Sequence, residues 1–73
     1  MLNTSDVTGI TYQEEDCVFY RNWVQSAFML EHGARLVDLF TDSKHKLVFV
    51  FTKADHKRII PLWLENNKAV GVS

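Results

Sequence analysis

Leu47-Val48-Phe49-Val50-Phe51 is an unbroken apolar run of β-branched and aromatic residues, and no other stretch constrains the fold as tightly. A strand buried on one side alternates apolar with polar side chains; this one does not, so both of its faces need cover. It is far too short to span a bilayer. The run therefore belongs in the middle of a sheet, with an antiparallel neighbour on each edge.

One neighbour follows from the pattern just upstream. Ala34–Thr41 is a second apolar segment, joined to Lys46–Thr52 by the polar turn Asp42-Ser43-Lys44-His45. With a four-residue loop, Thr41 opposes Lys46, Phe40 opposes Leu47, Asp38 opposes Phe49 and Leu36 opposes Phe51. One sheet face then carries Leu36, Phe40, Leu47, Phe49 and Phe51, and the other carries Val37, Leu39, Val48 and Val50. Cys17-Val18-Phe19-Tyr20-Arg21 supplies the third strand, with Val18 and Tyr20 on one face and Cys17, Phe19 and Arg21 on the other. It pairs antiparallel with Leu47–Phe51, through a right-handed crossover.

Two helices complete the pattern. Asn22 caps a helix over residues 23–32, and Gly33 ends it with the left-handed backbone that β-carbon-bearing residues adopt less readily. Trp23, Ala27 and Leu30 form its expected buried stripe, with Val24 and Phe28 beside it. Thr52 caps a second helix with the stripe Ile59, Ile60, Trp63 and Leu64; Pro61 is expected to kink or break it, and Asn66-Asn67 to stop it. The expectation is an α+β fold of order β-α-β-β-α, a small, mainly antiparallel three-stranded sheet with two helices over residues 16–67. Leu36, Phe49 and Phe51 face the helices. Residues 1–15 read as a tail in which Ile10 and Tyr12 begin at most a short edge strand, and residues 68–73 as a second tail.

At 73 residues the chain is one domain near the lower size limit for a core without a staple, so the stability margin is thin. One cysteine, Cys17, allows no internal disulfide and fits a reducing compartment; with no signal-peptide pattern at the start, the expected location is cytoplasmic. A net charge of −1 argues against strong non-specific nucleic-acid binding.

No motif carries chemistry. Cys17, His32, His45 and His56 fall on different elements without metal-ligand spacing, and Gly9, Gly33 and Gly71 are isolated rather than gathered in a phosphate loop. No catalytic residue, cofactor or metal is assigned, and an enzyme is not expected. Two function classes remain. Two short helices cannot cover both apolar sheet faces, so Val37, Leu39, Val48 and Val50 are the candidate interface with a second copy or another protein. Alternatively Lys44, Lys46, Lys53, Lys57 and Arg58 make a basic region able to meet phosphates, as in a nucleic-acid-binding accessory protein.

The spacing of Ala27, Leu30, Gly33, Leu36-Val37 and Phe49-Val50-Phe51 resembles a family of short, uncharacterised strand-helix-strand-strand-helix domains of bacteriophages and bacterial mobile elements. The resemblance covers residues 19–63 and lies in packing positions, so it implies fold and origin and no catalytic residue. Such an origin implies a host-directed inhibitor, anti-CRISPR and other anti-defence proteins among them.

Overall fold

A computed structural model describes residues 1–71 of the chain, and side chains through residue 66. The apolar run lies where its composition requires. Strand β5 (Leu47–Thr52) is the central strand of a three-stranded antiparallel sheet, between β3 (Cys17–Tyr20) and β4 (Asp38–Thr41). Helix α1 (Trp23–Glu31) and helix α2 (Lys53–Gly71) pack on one face. There Tyr20, Met29, Ala34, Phe51 and Ile59 form the main core, with Val18, Phe28, Leu36 and Phe49 packed against it. The expected orientation of Leu36, Phe49 and Phe51 toward the helices holds.

The residues expected to be an N-terminal tail are folded. Strands β1 (Leu2–Thr4) and β2 (Thr11–Gln13) form an antiparallel hairpin, and a 3-10 turn at Glu14–Asp16 leads into β3. The hairpin loop is built by short polar side chains. The Ser5 hydroxyl accepts from the Val7 and Thr8 amides at 3.1 and 3.0 Å, and Gly9 takes φ +75°, a left-handed turn that costs glycine little. Tyr12 and Ile10 then pack on Cys17, Val37 and Val50, forming a second core on the sheet face away from the helices.

The β4–β5 register differs from the expected one by one residue. His45 adopts φ +61°, the Asp42 amide donates to the Lys46 carbonyl at 2.9 Å, and the His45 amide to the Asp42 carbonyl at 3.0 Å. This turn followed by a left-handed residue makes Thr41 pair with Leu47, Phe40 with Val48 and Asp38 with Val50. A slip of one residue turns every β4 side chain over. Leu39 thus sits opposite Phe49 on the helix side, while Asp38 and Phe40 join Val48 and Val50 on the other.

Both helices also depart from expectation. In α1 the fully buried residues are Ser26 and Met29, not Trp23, Ala27 and Leu30. Helix α2 runs through Pro61 and past Asn66-Asn67 to Gly71; residues 72–73 of the expected C-terminal tail lie outside the described residues. Pro61 removes the amide that would bond the Lys57 carbonyl, but both residues are exposed, so water is available to that carbonyl.

Candidate interaction surface

The surface is best understood from the start of α1. The Asn22 side chain accepts from the Val24 and Gln25 amides at 3.0 and 3.2 Å, satisfying two of the four unpaired donors at the helix start. Ser26 returns its hydroxyl to the Asn22 carbonyl at 2.9 Å, and its small side chain lets the helix lie close to the sheet. One turn on, the Met29 sulfur meets the Tyr20 hydroxyl at 3.7 Å. Only Arg21 and Asn22 separate β3 from α1, and this short link sets the helix rotation.

With that rotation fixed, the other apolar stripe of α1 faces outward. Trp23 is 75% exposed, Val24 65% and Leu30 42%, with Ala27 exposed between them. Leu47, at the start of β5, extends the patch. Trp23 and Leu47 share a groove of about 320 Å³ with Arg21 and Lys46. Arg21 Nε pairs with Asp42 at 3.3 Å. The amides of Lys46 and Lys44, with Arg21 beyond them, hold the Asp42 carboxyl below the usual carboxylate range. Lys46 forms no ion pair among the described residues.

The sheet face expected to be the interface is largely closed. Val37, Val48 and Val50 are buried within the chain, and Leu39 is half-buried on the opposite side. The N-terminal hairpin covers Val37 and Val50. Val48 pairs with Phe40, and Val50 with Phe19; the two rings meet edge-on with centroids 6.3 Å apart. The sequence argument failed here because it allowed the two helices alone to supply cover.

The hairpin is tied down by a buried polar contact. Tyr12 donates to Asp38 Oδ2 at 2.6 Å, and the Leu39 amide donates to Oδ1 at 2.8 Å. Burial, and then this bond, push the Tyr12 hydroxyl up to about 12. Burial alone would raise Asp38, but donors from Ser5, Tyr12 and Leu39 outweigh it and hold the carboxyl below its ordinary value. Thr8 adds a bond to the Val37 carbonyl at 2.6 Å.

The five cations do not form one surface. Lys44 and Lys46 lie at the β4–β5 turn, whereas Lys53 and Lys57 line a hollow of about 570 Å³ with Val18, Ala54 and His56. At about 3.3 Å per strand residue, β5 separates the two groups by roughly 20 Å. Arg58 is engaged elsewhere, with Asp55 at 3.1 Å and the His32 carbonyl at 3.3 Å.

The candidate chemical groups have structural partners. Cys17 is buried, and burial, then the neighbouring Asp16 charge, push its thiol up, away from nucleophilic thiolate character. His56 Nδ1 contacts the Tyr20 hydroxyl, and His32 Nδ1 the Phe28 carbonyl at 2.9 Å. Among the described residues no three His, Cys, Asp or Glu side chains come together as a metal-binding group, and no helix is long and apolar enough to cross a membrane. Comparisons with protein-family models, with curated proteins and with solved structures found no match.

Proposed function

We propose that this chain is a non-enzymatic interaction protein that acts by binding another protein chain through the outer stripe of α1. The observation that carries this reading is the exposure of Trp23, Val24, Ala27 and Leu30 on one helical face, continued by Leu47. An isolated exposed leucine is ordinary, but a tryptophan, a valine and a leucine aligned on one short helix make a binding face of the kind that docks against a helix or groove. The groove cations at the Trp23 end favour a partner carrying carboxylates there. A phage or mobile-element origin, and with it a cytoplasmic host-directed inhibitor, rests on the residue pattern of the resemblance.

The test is a photo-crosslinking amino acid placed at Val24, and for comparison at Ser43 in the β4–β5 turn. The reading expects a discrete protein adduct from position 24 alone. Equal labelling from both positions, or none, refutes it.

Nucleic-acid binding is the second reading, supported by Lys53 and Lys57 sharing one hollow with an apolar floor. It expects binding that falls with salt by about one unit of log–log slope per phosphate contact, and that Lys53→Ala with Lys57→Ala reduces together with the slope. Salt-independent binding removes it.

A further inference from the structure

The geometry points to a second copy of this chain as an occupant of the α1 face, its own α1 lying antiparallel across a two-fold axis at Ala27. This rests on the reading of that stripe as a binding face and names what binds there.

The stripe has the symmetry such a contact needs. At about 100° per residue, Leu30, Trp23, Ala27, Glu31 and Val24 occupy one continuous outer sector, with Ala27 in its middle and the buried Met29 on the opposite side. Ala27 is also midway along the axis between Trp23 and Glu31. A small residue at the centre of a two-fold contact lets two backbones approach closely, and the larger residues on either side fill the flanks. In this arrangement Trp23 meets the partner's Leu30 on one flank, and Val24 lies beside the partner's Glu31 on the other.

The charges are arranged the same way. One end of the stripe, around Trp23 and Leu47, carries Lys46, which has no ion pair among the described residues, beside the Arg21–Asp42 pair; the other ends in the exposed carboxylate of Glu31. Trp23 and Glu31 are about 12 Å apart along the helix, so an antiparallel copy brings its Glu31 over the groove that Lys46 lines. The match occurs twice, once at each end. Within a single chain this pattern runs against the helix dipole, since α1 has no acidic residue in its first turn and no basic residue in its last. Arg58, reaching the His32 carbonyl, relieves only the last turn. A partner in the opposite direction places a carboxylate at the first turn and cations beyond the last.

The size of the face sets the strength. One nine-residue helix and its adjoining groove bury less than the roughly 800 Å² per partner of a standard interface, out of 5164 Å² for the whole chain. The dimer therefore dissociates in the range of about 1–100 µM, and its population rises with concentration.

The experiment is sedimentation velocity across a concentration series, with charge-swapped chains. Glu31→Lys and Lys46→Glu each place like charges at both ends of the homodimer and weaken it about tenfold. Mixing the two variants restores both contacts, so the mixture associates more tightly than either variant alone. Ala27→Glu, at an exposed helical position, abolishes association while leaving the circular-dichroism melt unchanged. A chain that remains monomeric into the millimolar range overturns the proposal. So does a mixture of charge-swapped chains that associates no better than its components. If self-association is absent while Ala27→Glu still abolishes the position-24 adduct with another protein, the second copy is wrong and the binding face stands. If Ala27→Glu alters neither, both readings fall.

Discussion

Removing one oxygen tests how the N-terminal hairpin is held. Tyr12→Phe keeps the ring packed on Cys17, Val37 and Val50 and deletes only the hydroxyl that donates to Asp38 at 2.6 Å. Asp38 is buried and ionised, so the loss leaves part of a buried carboxylate unsatisfied, at a cost of about 1.5–3 kcal/mol at neutral pH. For a domain of this size, with a core worth about 3–5 kcal/mol, that is near half the total. The effect has a definite pH dependence. Asp38 is held below its ordinary value, so its contribution is present above the unfolded carboxylate range and fades as pH falls through the folded value. Without the Tyr12 donor that folded value rises toward the unfolded one. The gap between wild type and variant is therefore widest above the unfolded carboxylate range and narrows as pH falls below it. Urea denaturation of both proteins at pH 7, 4.5 and 3 measures it. A gap below about 0.5 kcal/mol at pH 7, or one that does not shrink on acidification, would refute the account of a buried carboxylate held by Tyr12.

Alkaline titration checks the same contact from its other side. The folded state holds the Tyr12 proton up to about 12. Stability is thus intact below the unfolded tyrosine value near 10 and falls by up to about 2–3 kcal/mol as pH rises to 12; tyrosinate absorbance and parallel denaturation should show it, and Tyr12→Phe should remove it. The rotation of α1 predicts a contrast between neighbours. Met29→Ala should cost about 2–4 kcal/mol in a denaturant melt, and Leu30→Ala less than about 1 kcal/mol; equal losses would mean the helix sits the other way round. Pro61→Ala should stabilise the chain by about 1–3 kcal/mol, because it restores an amide and its hydrogen bond at an exposed helical position; a loss on thermal melting would contradict the continuous helix.

The sheet was legible because its signal was redundant. The Leu47–Phe51 run needed cover on both faces, β-branched and aromatic residues filled both candidate neighbours, and these constraints agree only with β5 in the middle. The β4–β5 register was not legible, because it turns on a single backbone angle. A four-residue turn and the observed one share the sequence Asp42-Ser43-Lys44-His45, and only the left-handed His45 separates them. Histidine tolerates that region better than most residues, a weak signal that alternation along β4 did not reinforce. The N-terminal hairpin was hidden for a related reason. Its strands are three residues each and mostly polar, below the length at which alternation distinguishes a strand from a loop. The one positive sign was Asp38, an acid inside an apolar strand, whose carboxylate Tyr12 meets at 2.6 Å.

The candidate surface shows a deeper ambiguity. Helix α1 carries two apolar stripes, Trp23-Ala27-Leu30 and Ser26-Met29 with Phe28, and periodicity scores the first higher because it holds the larger side chains. What decides between them is the two-residue link from Tyr20, together with Ser26 returning a bond to Asn22 and Met29 reaching Tyr20. These are contacts of close approach, which favour small and flexible side chains over bulky ones. The stripe that looked most like core was therefore the one left outside. The hairpin compounds the exchange, since by covering Val37 and Val50 it closes the sheet face that seemed open. Other large apolar side chains are exposed too, on the N-terminal hairpin, at Phe19 and Phe40 and on α2. The α1 stripe differs in gathering Trp23, Val24 and Leu30 on one helix face, with Lys46 near one end and Glu31 at the other, and the charge-swapped mixture tests that arrangement directly.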